Sequence, residues 1–199
     1  YLLQINAIKL NTKTPFTWAS GIKSPIYCDN RLILSNIEIR DYIANQMANI
    51  ISKSFSDNYI IAGVATGAIA IGALVAERLK KPYIYVRPNP KGHGLKNQIE
   101  GSLPSGSNVI VIEDLISTGM SSLNAVNAIK GESSSVNAML SIFSYSFDFA
   151  DDRFKSEKIN LISLADYNVL VEIVKEQEII SHDEIEKLQR WREDPEDWM

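Results

Sequence analysis

Residues 109–122 read VIVIEDLISTGMSS, which passes from a strand-like apolar run through two acids into a hydroxyl-rich helix start. The adjacent carboxylates Glu113 and Asp114 can accept hydrogen bonds from sugar hydroxyls, but they repel a phosphate. Backbone N–H groups at a helix start bind anions, helped by the positive end of the helix dipole. Gly119 lets the backbone approach such an anion closely. The stretch therefore predicts a ribose-binding site beside a phosphate-binding site. The simpler interpretation is a polar turn capped by Ser or Thr.

Strand and helix patterns alternate on both sides of this stretch, and residues 15–35 indicate short strands and turns. Because the strands are continuously apolar, the predicted fold class is α/β, a parallel sheet flanked by helices. Ligands of such sheets bind beyond the carboxyl ends of the strands. The predicted strands are residues 59–64, 83–87, 108–112, 136–145 and 159–164; the predicted helices are residues 1–10, 35–51 with a capping box at Ser35 and Glu38, 67–80, 119–130, and a closing helix with a capping box at Ser181 and Glu184.

Length and composition limit the classes of protein. The chain has 199 residues, 45% of them hydrophobic, which suits one globular domain over residues 1–199. A net charge of -4 and a pI of about 5.3 argue against nucleic acid as a partner. The single cysteine, Cys28, allows neither an intrachain disulfide nor a zinc framework. Apolar runs are far shorter than the roughly 18 residues that span a bilayer, so a cytoplasmic enzyme without a membrane partner is expected.

A second polar segment, RPNPKGHGLK at residues 87–96, follows the predicted strand 83–87. It begins an irregular stretch of about 20 residues, a length typical of active-site lids or of disorder. Lys91 and His93 are cations of the kind that stabilise charge on a departing pyrophosphate when a loop closes and excludes water. The alternative is a solvated basic loop with no ligand.

A third segment is the turn Ala65-Thr66-Gly67, which follows the predicted strand 59–64. Its N–H groups precede another helix, so the turn could hold a pyrophosphate. A nucleotide-binding P-loop is not supported, because Ala73 and Leu74 stand where that motif needs Lys and Ser or Thr. Alone, the turn is a weak indication of function.

Three segments together resemble the orotate phosphoribosyltransferases, which are type I phosphoribosyltransferases. FTWASGIKSPIYCDNR (16–31) is similar to that family's base-pocket segment, RPNPKGHG (87–94) to its catalytic loop, and IEDLISTGMS (112–121) to its phosphoribosyl pyrophosphate loop, in the same order. The resemblance implies a core sheet over residues 59–165 with a small N-terminal hood over residues 1–35. It also implies a homodimer with shared active sites, and Mg2+ held mainly by the substrate rather than by protein ligands.

The resemblance also implies a role for each motif residue in transferring phosphoribose from phosphoribosyl pyrophosphate to orotate. Lys91, His93 and Asp114 would be catalytic, and Ser117 and Tyr27 would contact orotate. The pyrophosphate loop would be Ala65, Thr66 and Gly67. Phosphoribosyl pyrophosphate would be bound by Arg87, Lys91, His93, Glu113, Asp114, Leu115, Ile116, Ser117, Thr118, Gly119, Met120 and Ser121.

The chain departs from some members of the family at the base site. Ala19 stands where some members have a lysine. No arginine after residue 145 clearly takes the position that some members use to bind the orotate carboxylate, and Arg153 is left open as a candidate for it. These departures concern base recognition rather than the class of reaction.

Two other functions fit the phosphate motif. One is a phosphoribosyltransferase for a purine or for uracil, against which the hood segment 16–31 argues. The other is a non-catalytic regulator that senses phosphoribosyl pyrophosphate and binds nucleic acid. The acidic pI and the presence of both Lys91 and His93 argue against that regulator.

Overall fold

The N-terminal segment, residues 1–35, forms two small antiparallel sheets beside the main sheet. The computed structural model describes residues 1–18, 21–89, 98–195 and 197–198. A 3-10 helix, Asn30–Ser35, ends the segment, and the strands and turns expected for residues 15–35 are confirmed. Strand β1 (Ile8–Leu10) pairs with β4 (Ile26–Cys28), and β2 (Phe16–Thr17) pairs with β3 (Lys23–Ser24).

The helix predicted for residues 1–10 is wrong. Residues 2–6 form turns, Asn6 adopts a left-handed φ of 56°, and Ile8 lies opposite Cys28 in the β1–β4 pair. A helix of ten residues is marginal without tertiary support. The strand forms instead of the helix because folding places β4 beside it as a hydrogen-bonded partner.

The main sheet has six strands in the order β10-β9-β8-β5-β6-β7 within the described residues. Every pairing is parallel except that of β6 with the short edge strand β7. The predicted α/β class with a parallel sheet is therefore confirmed. The strands are β5 (Ile60–Val64), β6 (Tyr83–Val86), β7 (Ile99–Glu100), β8 (Asn108–Ile116), β9 (Ser135–Ser144) and β10 (Asn160–Asp166).

Six helices of the described residues cover the sheet. Successive residues of a strand point to opposite faces, and β8 shows this: Ile110 and Ile112 join a core with α1 and α2, whereas Val109 and Val111 join a core with α3 and α4. Both faces of β8 are therefore buried, as its apolar pattern predicts. The helices are α1 (Ile37–Ser54), α2 (Ile69–Leu79), α3 (Met120–Gly131), α4 (Asp148–Ser156), α5 (Tyr167–Glu176) and α6 (His182–Glu193).

The two predicted capping boxes have different outcomes. The box at Ser181 and Glu184 is confirmed at the start of α6. At α1 the N-cap is Asn36 rather than Ser35, and the Asn36 side chain accepts a hydrogen bond from the Ile39 N–H. Asn is at least as good a cap as Ser, so the helix begins one residue later than predicted.

Two helices, α4 and α5, were not predicted. Helix α4 buries only Ala150 and Phe154 among its nine residues, which is too few for a clear apolar stripe. Its position nevertheless matters, because it packs next to the loop that follows β8. In the described part of the chain, none of the helices is both long enough and apolar enough to cross a membrane.

Candidate active site

The loop between β8 and α3 lies at the carboxyl end of the central strand. Strand β8 was predicted to end at Ile112 but continues to Ile116, because Leu115 and Ile116 still pair with β9. The two acids therefore lie within the strand rather than after it. Helix α3 begins after Gly119, whose φ of 76° lies in the left-handed region that favours glycine.

The two acids have different environments. Glu113 is 5% exposed; its carboxylate accepts one hydrogen bond from Ser122 Oγ at 2.8 Å and another from the Asp114 N–H at 3.0 Å. Burial, followed by the negative charge of Asp114, raises the pKa of the Glu113 carboxyl well above its ordinary value. Asp114 is half-buried. Consecutive strand residues point in opposite directions, so Glu113 is positioned to support the loop from inside while Asp114 can meet a ligand.

Glu113→Gln should flatten the pH dependence of stability. Because the folded-state pKa of Glu113 is raised, its contribution is fully present below the unfolded pKa and is lost as pH rises toward the folded value. Each unit of that difference is worth about 1.4 kcal/mol. A glutamine keeps both contacts, since its oxygen can accept from Asp114 and its amide can donate to Ser122. The variant should therefore gain free energy of unfolding relative to wild type at pH 8, but not at pH 4.

Urea unfolding at both pH values measures this difference. Ser122→Ala provides the matched control, because it removes a donor to the charged carboxylate and should destabilise the protein more at pH 8 than at pH 4. Parallel pH profiles for wild type and Glu113→Gln would mean that Glu113 titrates normally.

The turn Ala65-Thr66-Gly67 lies against Asp114. A Cβ atom at Gly67 would lie 2.0 Å from Asp114 Oδ2 and 2.3 Å from Asp114 Cγ, so the carboxylate occupies that space. The turn follows β5, the parallel neighbour of β8, and its Ala65–Thr66 peptide is cis. The structure thus brings together two segments that the sequence singled out separately.

The N-terminal segment contacts Asp114 near the end of β8 through a side chain that sequence reasoning missed. Asn30, 1% exposed, donates from Nδ2 to the main-chain oxygen of Asp114 at 2.7 Å. Its Oδ1 accepts from the Cys28 thiol at 3.4 Å, and burial raises the pKa of that thiol. Tyr27, on the same strand, is exposed and packs on Phe16 with ring centroids 5.6 Å apart. Hydrogen bonds through Asn30 thus connect β4, the strand of the expected base pocket, to Asp114. No local signal marks Asn30, because its acceptor lies 84 residues away.

The remaining residues of the loop divide into core and surface. Ile116 is fully buried, and Leu115 packs against a cluster of aromatic side chains, so both can offer a ligand only their backbone. Ser117 is half-buried in the loop, and Met120 and Ser121 are exposed in the first turn of α3. The first N–H groups of a helix have no intrahelical acceptor. The Met120 N–H makes a long hydrogen bond to Thr118 Oγ1 at 3.5 Å, whereas the Ser121 N–H is left available to an anion.

Helix α4 contacts Thr118 and Gly119 of the loop between β8 and α3. Arg153 Nη1 donates to the main-chain oxygen of Thr118 at 2.7 Å. A Cβ atom at Gly119 would lie 2.9 Å from Cε2 of Phe154, so the helix also restricts that position to glycine. Sequence reasoning left Arg153 open only as a candidate for the orotate carboxylate and did not connect it to Thr118, because nothing local links residues 35 positions apart.

The cationic segment can be described only at its start. Arg87 follows β6, its N–H donates to the Gln98 oxygen at 2.8 Å, and its guanidinium lies 3.5 Å from a Glu100 carboxylate oxygen. Lys91 and His93 lie outside the described residues. Arg87 therefore lies at the carboxyl end of β6, next to the carboxyl end of β5 that carries the Gly67 turn.

A divalent metal has no preformed protein cage in the described residues. No group of three or more His, Cys, Asp or Glu residues is close enough there to hold one. Mg2+ prefers oxygen ligands and usually keeps waters and substrate phosphates around it. The half-buried carboxylate of Asp114 is of the right chemical type to contribute one such oxygen. These donors fit a metal ion that arrives with a phosphorylated substrate.

A parallel sheet with two acids near the end of its central strand, a hydroxyl-rich helix start and a neighbouring turn is the arrangement expected of a phosphoribosyltransferase. The family model for the phosphoribosyl transferase domain matches residues 33–157. The chain is 48% identical over 197 residues to an orotate phosphoribosyltransferase of Porphyromonas gingivalis, covering 99% of this chain and 94% of that relative. It is 45% identical over 192 residues to that of Staphylococcus saprophyticus, covering 96% and 95%. The chain belongs to the orotate phosphoribosyltransferase family.

Solved structures agree with this assignment. An orotate phosphoribosyltransferase from Aeropyrum pernix superimposes with a TM-score of 0.75 at 26% identity, covering 90% of this chain and 97% of that one. A UMP synthase from Leishmania donovani superimposes with a TM-score of 0.80 at 21% identity, covering 96% of this chain and 40% of that one. The second likeness concerns the fold alone. The expected type I phosphoribosyltransferase fold is confirmed.

Proposed function

We propose that this protein transfers the 5-phosphoribosyl group of phosphoribosyl pyrophosphate to orotate, giving orotidine 5-phosphate and pyrophosphate in pyrimidine biosynthesis. The observation that supports it best is the contact of Asp114 with Gly67. It joins a ribose-binding acid, a pyrophosphate-type turn and the phosphate-type loop of residues 117–121 at one edge of the sheet.

Each part of the site has a chemical task in this reaction. The bond from the anomeric carbon to pyrophosphate breaks, a bond from that carbon to the orotate ring nitrogen forms, and the ribose passes through an oxocarbenium-like state. Asp114 accepts hydrogen bonds from the ribose hydroxyls, and its negative charge favours the cationic ring. The backbone of residues 117–121 binds the 5-phosphate. The carboxylate of orotate is already an anion, and the proton of its ring nitrogen passes to the departing pyrophosphate or to solvent as the new bond forms, so no protein base is assigned.

The remaining residues of the site bind the leaving pyrophosphate and the orotate base. Arg87, Lys91 and His93 stabilise negative charge on the departing pyrophosphate, beside the turn of Ala65, Thr66 and Gly67. Tyr27 and Ser117 contact orotate. Bound Mg2+ would supply further charge neutralisation on the pyrophosphate and ribose oxygens. Glu113 supports Asp114 and the start of α3 from inside, through its contacts with Asp114 and Ser122.

The base specificity can be tested directly. Pyrophosphate release should be measured in Mg2+ with phosphoribosyl pyrophosphate and, in turn, orotate, adenine, hypoxanthine and uracil. Orotate should be the preferred acceptor by at least ~100-fold in kcat/KM, since a site built for hydrogen bonds rejects bases that cannot make them. Turnover with a purine or uracil but not orotate would assign a different phosphoribosyltransferase, and binding without turnover would indicate a regulator.

The oligomeric state and the cellular location of the protein are part of the same proposal. The resemblance to the family supports a cytoplasmic homodimer in which the segment around Lys91 of one subunit serves the site of the other. A chain defective at Lys91 and a chain defective at Asp114 would then complement each other, because a mixed dimer contains one site with both groups intact.

A further inference from the structure

We infer that Arg153 is a positioning residue that orients the phosphate-binding backbone of the loop after β8 and adds a positive charge to it. This rests on the proposed function, in which residues 117–121 bind the 5-phosphate of phosphoribosyl pyrophosphate. The inference assigns to α4 a part in substrate binding, although that helix lies outside every motif of the sequence.

Two contacts hold the Arg153 side chain in place. Its Nη1 donates to the Thr118 oxygen at 2.7 Å, and its guanidinium lies over the Phe149 ring, 5.4 Å from the centroid. The next residue, Phe154, is buried and fixes α4 against the sheet. The guanidinium is thus attached to a rigid element, and it can hold the loop in one position.

The bond to Thr118 determines which way the neighbouring N–H points. The peptide between Thr118 and Gly119 is planar and trans, so its C=O and N–H point in opposite directions. Because Arg153 holds the oxygen on the side of α4, the Gly119 N–H must point away from α4. Within the described residues, neither the Thr118 N–H nor the Gly119 N–H has a hydrogen-bond acceptor. Such donors are what a phosphate at a helix start requires.

Within the described residues, no carboxylate neutralises the charge of Arg153. Among the residues that the structure describes, Arg153 forms no ion pair, whereas Lys155 on the same helix pairs with Asp152 at 3.4 Å. A guanidinium stays protonated at any ordinary pH. It therefore raises the positive potential of the loop for a doubly charged phosphate, and because Arg153 is exposed this part of the effect should weaken with salt.

Three substitutions at Arg153 separate the bond from the charge. Arg153→Ala removes both and should raise the KM for phosphoribosyl pyrophosphate about tenfold, as expected for one charge-assisted hydrogen bond, with kcat and the KM for orotate nearly unchanged. Arg153→Gln can keep a donor without the charge, and Arg153→Lys keeps the charge; each should restore part of the affinity. Lys155→Ala is the matched control on the same helix and should leave all three constants unchanged.

Inhibition by product and nucleoside gives a readout that a loss of stability would not produce. Orotidine 5-phosphate should inhibit Arg153→Ala about tenfold more weakly than wild type, whereas orotidine, which lacks the phosphate, should inhibit both equally. The inference is overturned if orotidine loses as much affinity as the nucleotide, or if Arg153→Ala matches wild type. Lack of activity in wild type with orotate would instead contradict the proposed function.

Discussion

Asp114→Asn should weaken the binding of phosphoribosyl pyrophosphate and of orotidine 5-phosphate by roughly 10- to 100-fold, because both ligands contain the ribose. The asparagine keeps the shape of the side chain but loses the charge, and hydrogen bonds to a charged acceptor are worth about 1.5–3 kcal/mol. Isothermal titration of both ligands measures the effect. Unchanged affinity for the nucleotide would remove Asp114 from the ribose site.

Gly67→Ala should weaken the binding of phosphoribosyl pyrophosphate and of orotidine 5-phosphate by a similar factor, although it replaces no polar group. Its Cβ would meet the Asp114 carboxylate at 2.0 Å, so the carboxylate must rotate away from its position in the site. In an Asp114→Ala background the new methyl group has room, and the same substitution should cost little. The double-mutant cycle should therefore be strongly non-additive. Additive effects would mean that Gly67 acts independently of Asp114.

Lys91→Ala should lower kcat by ~100- to 1,000-fold, the usual loss when one preorganised group that stabilises developing charge is removed. Lys91 is expected to act on the departing pyrophosphate, which orotidine 5-phosphate lacks. Affinity for that nucleotide should therefore stay close to wild type, in contrast to Asp114→Asn. A loss of nucleotide affinity as large as that of Asp114→Asn would place Lys91 elsewhere in the site.

The same two variants test the shared active site. Mixing inactive Lys91→Ala and Asp114→Asn chains under conditions of subunit exchange should restore up to about a quarter of wild-type activity, because random pairing makes half the dimers mixed and each has one intact site. Mixing either variant with itself is the control. Absence of recovery, with exchange confirmed by differently tagged chains, would show that each site belongs to one subunit.

Features that depend on neighbouring residues in the chain could be predicted from the sequence. The pattern at residues 109–122 correctly indicated a buried strand, a loop and a helix start, and the box at Ser181 and Glu184 correctly indicated α6. Apolar periodicity and caps reflect local backbone geometry. The sequence also placed both the Gly67 turn and the two acids near the carboxyl ends of strands, where ligands of a parallel sheet bind. That β5 and β8 are neighbours, so that the turn meets Asp114, was decided by the tertiary structure.

Features that depend on contacts between distant residues were decided only by the tertiary structure. The first ten residues form a strand rather than a helix because β4 is available to pair with it. Two adjacent acids look alike in the sequence, yet the sheet buries Glu113 against Ser122 and leaves Asp114 half-buried beside the Gly67 turn. Asn30 contacts Asp114, 84 residues away, and Arg153 contacts Thr118, 35 residues away. Such contacts leave no periodic pattern, since they arise only when packing places separate elements side by side.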